Sequence, residues 1–330
     1  MKGTPVRIHV IGAGSWGLAL ARLLANNNHS VRLWCREEDQ PDRLRETREQ
    51  PDYLPGVRLP ASVEVTREVD PGAELAVLAV PSHAMRAVLQ ANPLGPETTA
   101  VSVAKGIEND TLLRMSEVID DVAGPRPVAA LSGPTHAEEV AHDLPASVVL
   151  ASEDADAATR AQTAFFAKRF RVYTSPDLIG VELGGALKNV IAIAAGACDG
   201  LGLGDNAKAG LITRGLAEIS RLGEALHADP LTFAGLSGVG DLIVTCTSRH
   251  SRNRRLGEAI ARGQTLEEYA ASTRMVAEGV RTARSAHALA HHHNVDMPIT
   301  RAVHQALFEA VPVQQVLDEL LIRGAKPERA

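Results

Sequence analysis

Residues 10–17 read Val10-Ile11-Gly12-Ala13-Gly14-Ser15-Trp16-Gly17, a G-x-G-x-x-G run that follows a strand-like stretch, Val6 to Ile11, and opens a helix-like one, Ser15 to Ala25. That setting gives each glycine a task. Gly12 permits the tight turn, Gly14 lets the backbone approach a pyrophosphate, and Gly17 lets helix and strand pack closely. The helix N-terminus adds unpaired N–H groups and a partial positive charge. A second strand-like run, Val31 to Trp34, completes the unit, so the segment predicts a dinucleotide site. The residues after that strand choose the dinucleotide, because an acid suits the ribose hydroxyls of NAD and an arginine suits the 2′-phosphate of NADP. Trp34-Cys35-Arg36-Glu37-Glu38 offers both. Arg36 can stack on adenine or pair with phosphate, and Glu37 lies at about the NAD spacing. The plainer reading of this pair is a solvated strand end, and the choice between NADP and NAD stays open.

Outward from this turn, strand-like and helix-like runs alternate through the first half, the mark of βαβ units and a parallel sheet. The strands are expected at 6–11, 31–34, 75–80, 99–103, 128–131, 146–150 and 170–174. Helices are expected between them at 15–25, 83–90, 112–120, 137–142 and 155–168. After Pro176 the β-branched alternation fades and helical periods dominate, at 178–198, 207–226, 254–261, 280–291, 299–307 and 313–321. The expected class is α/β: an N-terminal Rossmann-type, doubly wound, dinucleotide-binding domain over residues 1–175, then an all-helical substrate and catalytic domain over 176–330.

The bulk numbers agree with two cores of ordinary size in 330 residues. Hydrophobic residues make up 45% and aromatics 3%, so the cores rest on Ala, Val, Leu and Ile. A net charge of −6, with both signs interspersed, offers no basic face for nucleic acid. Cys35, Cys198 and Cys246 are odd in number and widely separated, which fits neither a disulfide framework nor a metal site and suits a reducing cytoplasm. The apolar run Val190 to Ala197, between Lys188 and Asp199, falls short of the roughly 20 residues that span a bilayer, so no membrane insertion is expected. His291 to His293 read as a solvated helix end, since adjacent side chains do not converge on one ion, and no metal is expected.

Two polar clusters interrupt the helical half. Around Gly180 to Ala197 the helix is apolar nearly all round except for Glu182, Lys188 and Asn189. A lysine there either snorkels to the surface or, desolvated, has its pKa lowered toward the working pH, as proton transfer to a carbonyl requires. Gly184 and Gly185 favour the second reading, because consecutive glycines weaken a helix and suggest close approach of another backbone or a ligand. In Gly238-Val-Gly-Asp241-Leu-Ile-Val-Thr245, Asp241 either caps a helix or holds the lysine's ammonium. Thr245 and Asn189 could hydrogen-bond a substrate oxygen. Ser251-Arg252-Asn253-Arg254-Arg255 reads as a phosphate clamp or as a solvated charged face.

Taken in order, several segments resemble the bacterial biosynthetic family of NAD(P)-dependent sn-glycerol-3-phosphate dehydrogenases over nearly the whole chain. They are Ile11 to Gly17, Val80-Pro-Ser82, Ala104-Lys-Gly-Ile107, Leu131-Ser-Gly-Pro-Thr-His-Ala-Glu-Glu139, Glu182-Leu-Gly-Gly-Ala-Leu-Lys-Asn189, Gly238 to Cys246, Ser251-Arg-Asn253 and Val276-Ala-Glu-Gly279. Thr135-His136 stands where Ser-Phe is commoner, and His250 stands where a basic residue is usual. The resemblance implies hydride transfer between NADP or NAD and a phosphorylated triose, dihydroxyacetone phosphate, in a biosynthetic role supplying phospholipid backbone. It implies Lys188 as general acid or base, with Lys105, Gly133, Thr135, Asp241, Ser251, Arg252 and Asn253 around the substrate. Gly12, Gly14, Ser15, Trp16, Gly17, Arg36, Lys105, Ala137, Arg252, Val276 and Glu278 would meet the cofactor. The rival readings are a two-domain reductase acting on a 3-hydroxy acid or branched keto acid, and a nucleotide sensor without turnover. Nothing in the sequence decides whether the chain acts as a homodimer.

Overall fold

The computed structural model describes residues 4–36, 41–272, 277–322 and 324. Glu37, Glu38 and Val276, named above, lie outside the described residues. The first half runs β1 (Arg7–Ile11), α1 (Ser15–Asn26), β2 (Ser30–Trp34), α2 (Pro41–Thr47), β3 (Glu64–Thr66), β4 (Leu75–Leu78), α3 (Met85–Ala91), β5 (Thr99–Ser102), α4 (Met115–Ala123), β6 (Val128–Ser132), α5 (Ala137–Ala141), β7 (Ala146–Ala151), α6 (Ala155–Phe165) and β8 (Phe170–Ser175). These strands form one eight-stranded sheet in the order β3-β2-β1-β4-β5-β6-β7-β8. The central strands are continuous apolar runs because helices cover both faces; every residue of β4 and β5 is buried. The strand order reverses between β1 and β4, and a ligand crevice opens at the carboxyl ends of strands at such a reversal. The glycine turn after β1 and the segment Val80 to Ser82 after β4 therefore face one crevice.

The sheet departs from the all-parallel expectation at one place, where β6 and β7 pair antiparallel. A parallel return needs a crossover as long as the strand, and the five residues of α5 rise only about 7.5 Å. The chain therefore re-enters from the end at which it left. Helix α4 also starts three residues later than expected. Leu112 has a positive φ of 61°, and Arg114 stays extended while the Glu117 side chain caps its backbone N–H at 2.8 Å.

The second half is helical: α7 (Leu178–Gly200), α8 (Gly204–Ala225), α9 (Pro230–Phe233), α10 (Asp241–Thr247), α11 (Arg252–Ala261), α12 (Leu266–Ser272), α13 (Glu278–His292), α14 (Pro298–Phe308) and α15 (Val313–Leu321). Helix α7 is the axis, and α8, α10, α11 and α13 pack around it. An 18-residue window of α7 is apolar enough to cross a membrane, but 94% of it is buried inside the protein. A second stretch, Pro230–Thr247, is also long and apolar, is 39% buried, and is broken by a kink at Gly238 within the π-helical segment Leu236–Gly240. The α7 and α11 backbones touch: a Cβ on Gly257 would lie 1.8 Å from the Ile193 carbonyl oxygen, and one on Gly196 1.8 Å from that of Arg254.

Candidate active site

The glycine turn has the shape its spacing predicts. Gly12 adopts φ +116°, and a Cβ there would lie 2.6 Å from the Ala79 carbonyl oxygen, while one on Gly17 would collide with the Gly12 carbonyl. A Cβ on Gly14 would meet nothing within 4 Å among the described residues. The open side of the turn is thus at Gly14, at the N-cap of α1, which is the cradle that a pyrophosphate fits. Ser15 donates its hydroxyl to the Tyr53 carbonyl at 2.6 Å, and the buried indole nitrogen of Trp16 has no hydrogen-bond partner among the described residues. Arg36 is exposed beyond the end of β2. Ala137 is the first residue of α5 and is buried. Glu278, at the start of α13, accepts the Ser82 hydroxyl at 2.7 Å. Burial raises its pKa, against the pull of that hydrogen bond and of Arg252.

Lys188, on α7, does not snorkel. It is 6% exposed, and its ammonium donates to Asp241 Oδ1 and, at 2.7 Å, to the Thr245 hydroxyl. Asp241 is 1% exposed and is the first residue of α10, yet its carboxylate caps no helix. Its second oxygen accepts from Lys105 Nζ at 2.7 Å, and Lys105 also donates to the Gly133 carbonyl at 3.0 Å. One carboxylate therefore sits between two ammonium groups. Burial alone would raise its pKa, but Lys105 and Lys188 outweigh that and hold it below the ordinary value. Burial lowers the pKa of Lys188 to about 7, even though Asp241 pulls upward.

The glycines before Lys188 allow this approach. A Cβ on Gly184 would lie 2.6 Å from the Ser237 carbonyl oxygen, and one on Gly185 2.7 Å from the Ser132 hydroxyl. Two expected substrate contacts turn out to be engaged within the protein. Thr245 gives its proton to the Asp241 carbonyl at 2.6 Å while accepting from Lys188, so it orients the ammonium. Asn189 donates to the Lys105 carbonyl at 3.1 Å and accepts from Asn253 at 2.8 Å. Asn253 in turn accepts the Gly279 N–H at 2.9 Å, which ties α7, α11 and α13 together. Ser251 is the N-cap of α11 and accepts from the Arg254 N–H at 3.2 Å. Thr135 donates to the Gly133 carbonyl at 3.1 Å. Of the 251–253 cluster, Arg252 alone is exposed, and its guanidinium makes no hydrogen bond or ion pair among the described residues.

Sequence reasoning missed two parts of this arrangement. Val80-Pro-Ser82 was among the family-like segments, but the tie of Ser82 to Glu278 was not foreseen; the place of Ser82 beyond the carboxyl end of β4, at the strand-order reversal, was the available signal. The second is a buried brace in which Glu182 of α7 accepts from the Ser116 hydroxyl at 2.6 Å and Arg114 at 2.7 Å. Its partners lie 66 and 68 residues away, and no local pattern marks them. Among the described residues, no group of three His, Cys, Asp or Glu is placed to hold a metal.

The chain is similar to known proteins in sequence and fold. Residues 7–158 match the family description NAD-dependent glycerol-3-phosphate dehydrogenase N-terminus, and residues 177–318 match the corresponding C-terminus. A glycerol-3-phosphate dehydrogenase (NAD(P)+) of Pelotomaculum thermopropionicum is 52% identical over 330 residues, 98% of this chain and 95% of that protein. A crystal structure of glycerol-3-phosphate dehydrogenase from Coxiella burnetii superposes with a TM-score of 0.92 at 38% identity, covering 97% of this chain and 99% of that one. A ketopantoate reductase from Ralstonia eutropha JMP134 shares the fold alone, with a TM-score of 0.57 at 16% identity over 95% of this chain and 99% of that one.

Proposed function

The chain belongs to the NAD-dependent glycerol-3-phosphate dehydrogenase family, and on that premise we propose how its residues carry out the interconversion of dihydroxyacetone phosphate and sn-glycerol 3-phosphate with NAD(P)H. Bound nicotinamide supplies or accepts the hydride at C2 of the triose. Lys188 gives a proton to the C2 oxygen in reduction and takes it back in oxidation. Asp241 holds the Lys188 ammonium in place and, with Thr245, fixes its direction. Lys105 shares Asp241 and keeps that carboxylate ionised. Arg252, exposed at the start of α11, grips the remote phosphate, whose binding energy orients the ketone. Gly12, Gly14 and Gly17 cradle the pyrophosphate, with Arg36 toward the adenosine ribose and Glu278 beside Ser82 lining the crevice.

The observation that carries this reading is the Lys188–Asp241–Lys105 cluster, with Lys188 and Asp241 buried, which a nucleotide sensor without turnover does not require. The dinucleotide-binding part extends over residues 1–175 and the helical part over 176–330, supported by the end of β8 at Ser175 and the start of α7 at Leu178. We place the enzyme in the cytoplasm, without membrane insertion, making phospholipid backbone. The three free, buried cysteines and the burial of α7 support that setting. The test is to mix the protein with dihydroxyacetone phosphate and each of NADH and NADPH, and to add inorganic phosphate as competitor. Turnover competitively inhibited by phosphate is the expected result. Turnover of a keto acid carboxylate in place of the triose would move the enzyme to the rival reductase class.

A further inference from the structure

Around Lys188, the polar groups that sequence reasoning assigned to the phosphate are largely engaged elsewhere. Asn253 is bonded to Asn189 and Gly279, and the Ser251 oxygen caps α11. A phosphate monoester dianion needs several donors, and Arg252 is only one of them. Two other basic side chains, His136 and His250, adjoin these groups: His250 precedes Ser251, and His136 lies within the influence of the Lys188 charge. His136, the N-cap residue of α5, follows Thr135 on the loop that begins at Gly133, whose carbonyl receives Lys105. Its Nε2 is buried and has no hydrogen-bond partner among the described residues. The His250 ring lies 5.7 Å from the His136 ring, centroid to centroid, and makes no hydrogen bond among the described residues. His250 and Arg252 flank Ser251 at the start of α11. A buried polar atom without a partner calls for an explanation, and a ligand oxygen supplies one.

We propose that His136 and His250 form, with Arg252, the cradle for the substrate's phosphate, His136 Nε2 bonding a phosphate oxygen. The proposal rests on the dehydrogenase reading and adds two recognition residues to it. The pair joins the loop after β6 to the loop before α11, so a phosphate held there bridges the sheet domain and the helical bundle. The groups facing His136 are Lys188 from α7, Glu138 and Glu139 from its own helix, and His250. Burial, then Lys188 and His250, hold its pKa below the ordinary value against the two glutamates, so the free enzyme carries His136 neutral at neutral pH. A bound dianion favours the imidazolium, and by linkage the substrate binds with proton uptake. Its affinity then gains more from His136 as pH falls.

The test compares wild type with His136→Phe, which keeps an aromatic ring and removes both nitrogens, at about pH 6 and about pH 8. KM for dihydroxyacetone phosphate should rise on the order of tenfold, with a smaller effect on kcat, an unchanged Kd for NADPH, and a larger KM ratio at the lower pH. His136→Gln, a donor that does not titrate, should recover part of the KM and none of its pH dependence. Binding of inorganic phosphate, measured by calorimetry, should weaken in parallel. That arm is independent of turnover: a wild type that fails to reduce the triose would remove the activity, while weakened phosphate binding by the variant would still support the cradle. KM and phosphate affinity unchanged at both pH values, or a loss confined to NADPH binding, would overturn it.

Discussion

Burying an ammonium costs more than a single exposed ion pair returns, so Lys188 stays charged only as far as Asp241 compensates for lost solvation. That balance leaves its pKa at about 7, where a group both gives and takes protons efficiently. The sign of the Asp241 contribution follows directly. Asp241→Asn removes the anion that favours charged Lys188, so its pKa falls further below 7. In the proposed mechanism reduction of the triose needs the protonated form, so its descending limb should move to lower pH; a limb that stays in place or moves upward would refute the coupling. Arg252→Lys should raise KM for dihydroxyacetone phosphate sharply, because an ammonium cannot reproduce the bidentate fork, and an unchanged KM would return Arg252 to the solvated face. Arg36→Ala should reduce kcat/KM for NADPH by roughly ten- to a hundredfold and for NADH much less, as loss of a charge-assisted contact to the 2′-phosphate implies. Equal losses would mean that Arg36 supports the adenine or the fold. At this scale the sequence indicated Lys188 and its tie to Asp241 through apolar context and flanking glycines. It did not indicate that Lys105, 136 residues from Asp241, grips the other carboxylate oxygen, because long-range pairing leaves no local pattern.

Among the elements, those with a strong apolar period were legible and those without one were not. Helix α2 buries only Pro41 and Leu44, and β3 has three residues, so neither shows a repeat that reasoning from periodicity can find. Helix α12 buries no residue at all. The reversed direction of β7 was invisible for another reason: a strand's sequence records which faces are buried and not which way it runs. The α7–α11 contact is the element on which the site most depends, since it sets Asn189 against Asn253. Gly257→Ala would place a methyl group against the Ile193 carbonyl. It should destabilise the fold by about 1–3 kcal/mol, as overpacking does, and lower the thermal midpoint. An unchanged midpoint would mean that the two helices separate without cost.

At the scale of the molecule, the proposed mechanism draws different parts of one reaction from the two halves. The sheet provides the crevice at its strand-order reversal, with Gly14 open to a pyrophosphate and Lys105 and Gly133 reaching toward the bundle. The bundle provides a dry helix on which a lysine can be held near neutrality, together with Asp241 and Arg252. Neither half holds the cluster alone, because Asp241 is shared between a lysine from each. The most direct test of this account is the turnover of Lys188→Ala with dihydroxyacetone phosphate and NADPH, measured alongside its affinity for NADPH. Loss of the proton donor should reduce kcat roughly a hundred- to ten-thousandfold while cofactor affinity stays near that of wild type. Retention of more than about a tenth of wild-type kcat would contradict the assignment, since general acid catalysis by Lys188 would then contribute less than its usual share.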